Sequence, residues 1–306
     1  MATSTNQPPL GSPDTPGQKA SGGLTRRHVL AGAAVATAAS MALPRPTHAS
    51  EGAATKNNRI KQSVCKWCFG DTPMETLAAH GAHIGLKSIE LVGPDSWPTL
   101  KKHGLICAMT PSHGITDGLN RKENHEECLT RIRRGIEASA EAGFPNVICF
   151  SGIRNGMDDA EGLKNCVHAI KQVVALAEEK NVNLCMELLN SKRTHPDYMC
   201  DRTHWGVELV KAVGSPRFRL LYDIYHMQVQ EGDVIDTIRE NHQYIAHYHT
   251  AGVPGRHEMD ENQELWYPAV VRAIIDTGYT GYLGQEFIPT RDPLPALTQA
   301  VLMCDV

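Results

Sequence analysis

The sequence has no excess of positive charge, no apolar run long enough to span a bilayer, no second paired-cysteine motif and no glycine-rich phosphate loop. Thirty Lys and Arg stand against 34 Asp and Glu, for a formal net charge of −4. That balance leaves no basic face for a polyanion and argues against nucleic-acid partners. No apolar stretch reaches the ~18 residues of a membrane-spanning helix, so no span is expected in the mature chain. The nine cysteines are odd in number and scattered. Cys65 and Cys68 form a C-x-x-C with no companion pair, which disfavours zinc or redox use. Cys149 and Cys185 sit in apolar segments and read as small buried thiols. After the first strand candidate, "CKWCFGDTP" holds a single glycine, which argues against a dinucleotide-binding open sheet.

What is present begins with a segment that does not belong to the fold. Residues 1–23 are rich in Ser, Thr, Gly and Pro and read as disordered. Arg26 and Arg27 then precede an Ala-rich, mildly apolar stretch that ends at Pro44, followed by Thr47-His48-Ala49 in a small-x-small cleavage pattern. Residues 1–49 therefore read as a tail plus a twin-arginine signal, which predicts the Tat export machinery as a partner and a periplasmic destination. That route exports folded proteins, so an odd set of free thiols is compatible with it.

From about residue 60 the chain alternates short apolar runs with longer amphipathic segments. Strands are predicted over 61–66, 87–92, 105–109, 146–150, 182–187, 218–223, 243–249 and 281–286, and helices over 123–142, 160–180, 202–212 and 264–276. Within 160–180, Leu163, Val167, Ile170, Val174 and Ala177 recur at spacings of three and four, one apolar stripe. Strands alternating with helices imply parallel pairing with both sheet faces covered. The exported part has about 257 residues, close to the roughly 250 typical of a (β/α)8 barrel. The expected fold is thus a single (β/α)8 TIM barrel over 60–306, with a doubly wound open sheet as the alternative.

In such a barrel, functional groups collect where strands end. Four successive late strands end in metal-competent side chains: Glu187 in "CMELLN", Asp223 in "LLYD", His249 in "AHYHTAG" and Glu286 in "LGQEF". Their separations of 36, 26 and 37 residues each match one strand-helix unit, which aims all four at one mouth. Three converging carboxylates repel one another, and a divalent cation removes that repulsion. Three oxygens and one imidazole suit Mn²⁺, Mg²⁺ or Co²⁺, with Zn²⁺ also compatible. His226, three residues after Asp223, is placed to hydrogen-bond a substrate oxygen. Arg256, on the Gly/Pro-rich "AGVPGRHEMD" loop, offers a planar fork for a carboxylate or polyol. Lys66 after the first strand and His113 after the third are further candidates for substrate contact.

At these residues the chain resembles the xylose isomerase-like barrel superfamily, and within it the hydroxypyruvate isomerase branch, with ketose 3-epimerases as cousins. The resemblance covers roughly 60–306 and rests on "MELLNSK", "YDIYHMQVQEGD", "HYHTAGVPGRHEMDENQELWY" and "GYTGYLGQEFIPT". It implies metal-ligand roles for Glu187, Asp223 and Glu286, and proton transfer by the two glutamates. At the position of His249 the isomerases of that family usually carry Gln and the epimerases His. The familiar isomerases are cytoplasmic, unlike a chain with an export signal.

The function expected from this is metal-dependent isomerisation of a small hydroxy-carbonyl compound, a keto acid or sugar, through an enediolate. Three readings compete with it: ketose 3-epimerisation; a periplasmic metal-dependent lyase or hydrolase acting on keto-sugars; and a barrel that captures a polyol without turnover. A DNA-repair phosphodiesterase is disfavoured for want of more His ligands and a basic surface. A homo-oligomer is compatible with the sequence.

Overall fold

The computed structural model describes residues 55–306, and the tail and signal expected over 1–49 lie outside the described residues. Seven strands form one parallel sheet: β1 (Lys61–Cys65), β2 (Ser88–Glu90), β3 (Asn146–Cys149), β4 (Asn183–Leu188), β5 (Phe218–Asp223), β6 (Ile245–Thr250) and β7 (Tyr282–Gln285). Their order is β2-β1-β7-β6-β5-β4-β3. The packed helices are α1 (Met74–Ile84), α2 (Trp97–Lys102), α3 (His125–Ala142), α4 (Asp159–Lys171), α5 (Val174–Lys180), α6 (Thr203–Val213), α7 (Ile224–Gln230), α8 (Val234–Asn241), α9 (Tyr267–Asp276) and α10 (Pro293–Met303). No helix among the described residues is long and apolar enough to cross a membrane.

The expected strand over 105–109 is a correction. This segment lies between β2 and β3 but makes only isolated bridges, Ser88 with Ile106 and Thr110 with Val147. Side chains replace part of the ladder there. The Ala108 N–H donates to Ser88 Oγ at 2.8 Å, and Asn146 Nδ2 donates to the Ala108 carbonyl at 2.8 Å. Main-chain bonds still run on both flanks, from Ile89 N to Ile106 O at 3.1 Å and from Ile148 N to Thr110 O at 3.0 Å. The ring of backbone hydrogen bonds is therefore continuous, and the fold is a TIM barrel whose eighth position is extended chain rather than a regular strand.

The helix expected over 160–180 divides at Gln172–Val173 into α4 and α5. Its buried face is Gly162, Asn165, Cys166, Ala169 and Ile170, whereas Leu163 and Val167 are only partly covered. Gly162 explains the rotation. A Cβ there would fall 2.0 Å from Met199 Sδ, so the backbone itself approaches the core. Asp158 caps α4 by accepting from the Ala160 N–H at 2.9 Å. All nine cysteines are buried and free, as small core thiols.

Candidate metal centre and active site

Because all strands run the same way, their C-terminal ends share one mouth. Asp223 on β5 and His249 on β6 are register partners, and His249 in turn faces Gly284 on β7, two residues before Glu286. Glu187 on β4 pairs with Leu221, one inward-facing step below Asp223. The stagger follows from strand tilt in a closed barrel. One donor atom from each of Glu187, Asp223, His249 and Glu286 lies within 4.8 Å of the others, and all four residues are buried.

Cationic side chains of the chain itself contact this cluster. His249 Nδ1 stands 2.9 Å from Glu286 Oε2 and 3.3 Å from Glu187 Oε1. Arg256 Nη2 stands 2.6 Å from Glu286 Oε2 and 3.5 Å from Asp223 Oδ2. Burial raises both Glu187 and Asp223 above the usual carboxylate range. Burial also acts to raise Glu286, but Arg256 and His249 outweigh it and hold that carboxyl well below its usual value. Burial opposes the His249 imidazolium, yet contact with Cys65, Glu286 and Glu187 lifts its pKa well above the usual histidine value. Two desolvated carboxylates with too little counter-charge, beside an imidazole and a third carboxylate, form a donor set that fits a divalent cation.

His226 is fully buried, and Asn190 fixes its orientation. The Asn190 backbone N–H donates to His226 Nδ1 at 3.1 Å, which makes that nitrogen an acceptor. Burial, reinforced by Arg256, drives the His226 pKa well down and keeps the ring neutral. Its Nε2 faces the cluster, 3.1 Å from the donor Arg256 Nη1 and 3.7 Å from Asp223 Oδ2. Arg256 itself reaches the mouth from a left-handed turn, with φ +62° following Gly255 at φ +91°. A non-glycine residue in that region stores strain that the surrounding contacts must hold. The guanidinium sits between the Trp67 and Tyr225 rings, 5.1 and 5.4 Å from their centroids.

The structure thus brings together six of the sequence-derived residues: Glu187, Asp223, His249, Glu286, His226 and Arg256. Lys66 and His113 make no hydrogen bond to the four carboxylate and imidazole donors. Lys66 Nζ donates to the Gly70 carbonyl at 2.8 Å. His113 lines a separate cavity of about 390 Å³ with Asp117, Glu127 and Arg131, and accepts the Phe150 N–H on Nε2 at 3.3 Å. Sequence reasoning missed Trp67, which is 46% exposed and donates Nε1–H to Glu286 Oε1 at 2.9 Å. It also missed Tyr225, Asn190 and a buried Glu90. The available signal for Trp67 and Tyr225 was adjacency, since each lies within two residues of a strand end.

The chain matches the xylose isomerase-like TIM barrel family over residues 97–303. It is 27% identical over 241 residues to a human protein provisionally named hydroxypyruvate isomerase, covering 76% of this chain and 80% of that one. It is 23% identical over 234 residues to the 2-oxo-tetronate isomerase of Pectobacterium atrosepticum, covering 72% and 88%. The solved structure of the 3-keto-D-glucoside 4-epimerase from E. coli superposes with a TM-score of 0.68 at 17% identity, over 79% of this chain and 97% of that one. A closed parallel barrel, its late strands ending in three carboxylates and an imidazole, and a match spanning two thirds of the sequence place the chain in the xylose isomerase-like TIM barrel family.

Proposed function

We propose that the protein is a divalent-metal-dependent isomerase of small hydroxy-carbonyl compounds, with hydroxypyruvate and 2-oxo-tetronate as the first substrates to test. The observation that carries this reading is the convergence of four donors, from four successive parallel strands, within 4.8 Å of one another. Relatives named as isomerases of hydroxypyruvate and 2-oxo-tetronate support it. Glu187, Asp223, His249 and Glu286 would hold the ion, which when bound supplies Lewis-acid polarisation of a substrate carbonyl.

The chain's own residues then divide the work. Glu187 and Glu286 carry the proton transfer: one carboxylate takes the proton from the carbon beside the carbonyl, and the other handles its return to the neighbouring carbon. Neutral His226, oriented by the Asn190 N–H on Nδ1, presents Nε2 beside Arg256 toward the substrate oxygens. Arg256, clamped between two aromatic rings, binds a carboxylate or hydroxyl oxygen through its planar fork. An imidazole at position 249 favours ketose 3-epimerisation as the second reading, because the epimerases that the chain resembles carry His there.

The test is elemental analysis of the purified protein, followed by NMR of hydroxypyruvate, 2-oxo-tetronate and ketoses in D₂O. The wild type should hold one divalent ion and wash deuterium into the carbon beside the carbonyl, and Asp223→Asn should lose most of the ion. A wild type free of metal, or full metal content in Asp223→Asn, would refute the metal reading. Binding of these compounds without deuterium uptake would leave only a capture protein. We also propose twin-arginine export: replacing Arg26 and Arg27 by Lys should leave the precursor in the cytoplasm, and normal export of that variant would refute it.

A further inference from the structure

Beneath the metal mouth lies a second group of polar side chains that the proposed reaction does not use. Glu90 ends β2, is fully buried, and reaches across the barrel interior toward β6. Its Oε2 lies 2.8 Å from His247 Nε2 and 3.8 Å from His249 Nε2. His247 and His249 are two residues apart on β6 and so share its inner face. Neither Glu90 oxygen makes a well-aligned hydrogen bond, nor does either His247 nitrogen. Burial acts to raise the Glu90 carboxyl, but the His247 and His249 imidazoles beside it outweigh that and hold it well below the usual carboxylate value.

Space for this carboxylate has been made by a neighbour. β1 and β7 lie between β2 and β6 in the sheet. On β7, Gly284 is the register partner of His249. A Cβ at that position would fall 2.1 Å from Glu90 Oε1 and 2.8 Å from His249 Cδ2. Any side chain at 284 would therefore push the carboxylate and the imidazole out of place. Gly284 has no positive φ to account for it, so close approach is the physical reason for glycine here.

His249 has two ring nitrogens with two different tasks. Nδ1 faces Glu187 and Glu286, on the side of the proposed ion. Nε2 makes its hydrogen-bond contact with Cys65 Sγ at 3.7 Å and has Glu90 Oε2 next to it at 3.8 Å, too long for a hydrogen bond. A metal-ligating histidine must present a lone pair to the ion, and the other nitrogen then carries the proton and needs an acceptor. Sulfur is a weak acceptor and a carboxylate a strong one. We propose that Glu90 is a positioning residue for the metal centre: its negative charge, 3.8 Å from His249 Nε2, favours the Nε2–H tautomer and so leaves Nδ1 free for the ion, and Gly284 makes room for it. This rests on the metal reading above.

The test uses Mn²⁺ alone, titrated calorimetrically into metal-stripped wild type, Glu90→Gln and Gly284→Ala. The expected result is a ~10–100-fold weaker affinity in Glu90→Gln, the usual worth of an outer carboxylate behind a metal-bound histidine. Gly284→Ala should show a loss of the same order with Glu90 intact. The melting temperature of metal-free Glu90→Gln is measured alongside, because loss of the 2.8 Å His247 contact alone would lower stability without touching the ion. A merely structural glutamate would give lower melting with unchanged Mn²⁺ affinity, and that overturns the proposal. In the Mg²⁺-loaded wild type, ¹⁵N-coupled NMR of the His249 ring should place the proton on Nε2; a proton on Nδ1 overturns it. Two Mn²⁺ per chain would mean that Cys65, Glu90 and His249 hold an ion of their own, which also overturns it. A wild type that binds no Mn²⁺ refutes the metal reading itself, whereas equal binding by wild type and both variants refutes only the role of Glu90.

Discussion

Glu286→Gln separates ligand chemistry from proton transfer at one side chain. In the wild type Glu286 accepts from Trp67 Nε1 at 2.9 Å through Oε1, while Oε2 faces Arg256 Nη2 at 2.6 Å and His249 Nδ1 at 2.9 Å. Glutamine keeps one carbonyl oxygen, enough for Trp67 or an ion, but its amide would turn N–H groups toward two other donors. Arg256 is not stranded, because Asp223 remains 3.5 Å away. The stability loss should therefore stay near ~2 kcal/mol, the scale of one charge-assisted hydrogen bond. It should not reach the ~3–5 kcal/mol of a buried charge left without a partner. Turnover should fall much further, by ~10²-fold or more, since a glutamine cannot act as base. The assay is kcat and KM on whichever substrate exchanges its proton in D₂O, with metal content and melting temperature measured on the same samples. Unchanged kcat at full metal content would refute the proton-transfer role. Loss of metal in proportion to activity would assign Glu286 to the ion alone.

Arg256→Lys keeps the charge but loses the planar fork and the stacking between Trp67 and Tyr225; it should mainly raise KM, by ~10-fold or more, with metal content unchanged, as steady-state kinetics would show. Mn²⁺ affinity should weaken as pH falls. The His249 pKa is held well above the usual histidine value by Cys65 and its carboxylate neighbours, and a bound ion must displace that proton. Each proton released corresponds to ~10-fold in affinity per pH unit, and titrations at pH 6, 7 and 8 that superpose would refute the coupling. Burial pushes His113 down to about 4 from an ordinary 6.5. The folded state therefore refuses a proton that the unfolded chain accepts, so stability is intact above pH 6.5 and drains away between 6.5 and 4. The full loss is ~3 kcal/mol. His113→Gln should flatten that slope in urea melts across this range, and parallel slopes would refute it.

Much of the site was legible before folding because parallel barrels impose a strict rule. One strand-helix unit separates successive strand ends, and every strand points its C-terminus at the same mouth. Spacing and residue type were therefore sufficient to pick out Glu187, Asp223, His249 and Glu286, and the offset of three placed His226 beside them. The alternation of apolar runs likewise indicated parallel strands with covered faces, and chain length favoured the barrel over an open sheet.

Other features depended on contacts that no local pattern encodes. The strand expected over 105–109 dissolved into bridges because Ser88 and Asn146 side chains took ladder bonds that the backbone would otherwise make. Lys66 and His113 stood at suitable places in the chain, yet one turns back to Gly70 and the other faces a different cavity. Glu90 went unseen because the apolar Leu91 and Val92 extend its run past the true strand end. Only closure of the sheet brings β2 opposite β6, sets a carboxylate beside His249 across a glycine, and reveals why position 284 carries no side chain. Periodicity tells which face of an element is buried, but which two buried faces meet is decided by the register and curvature of the whole barrel.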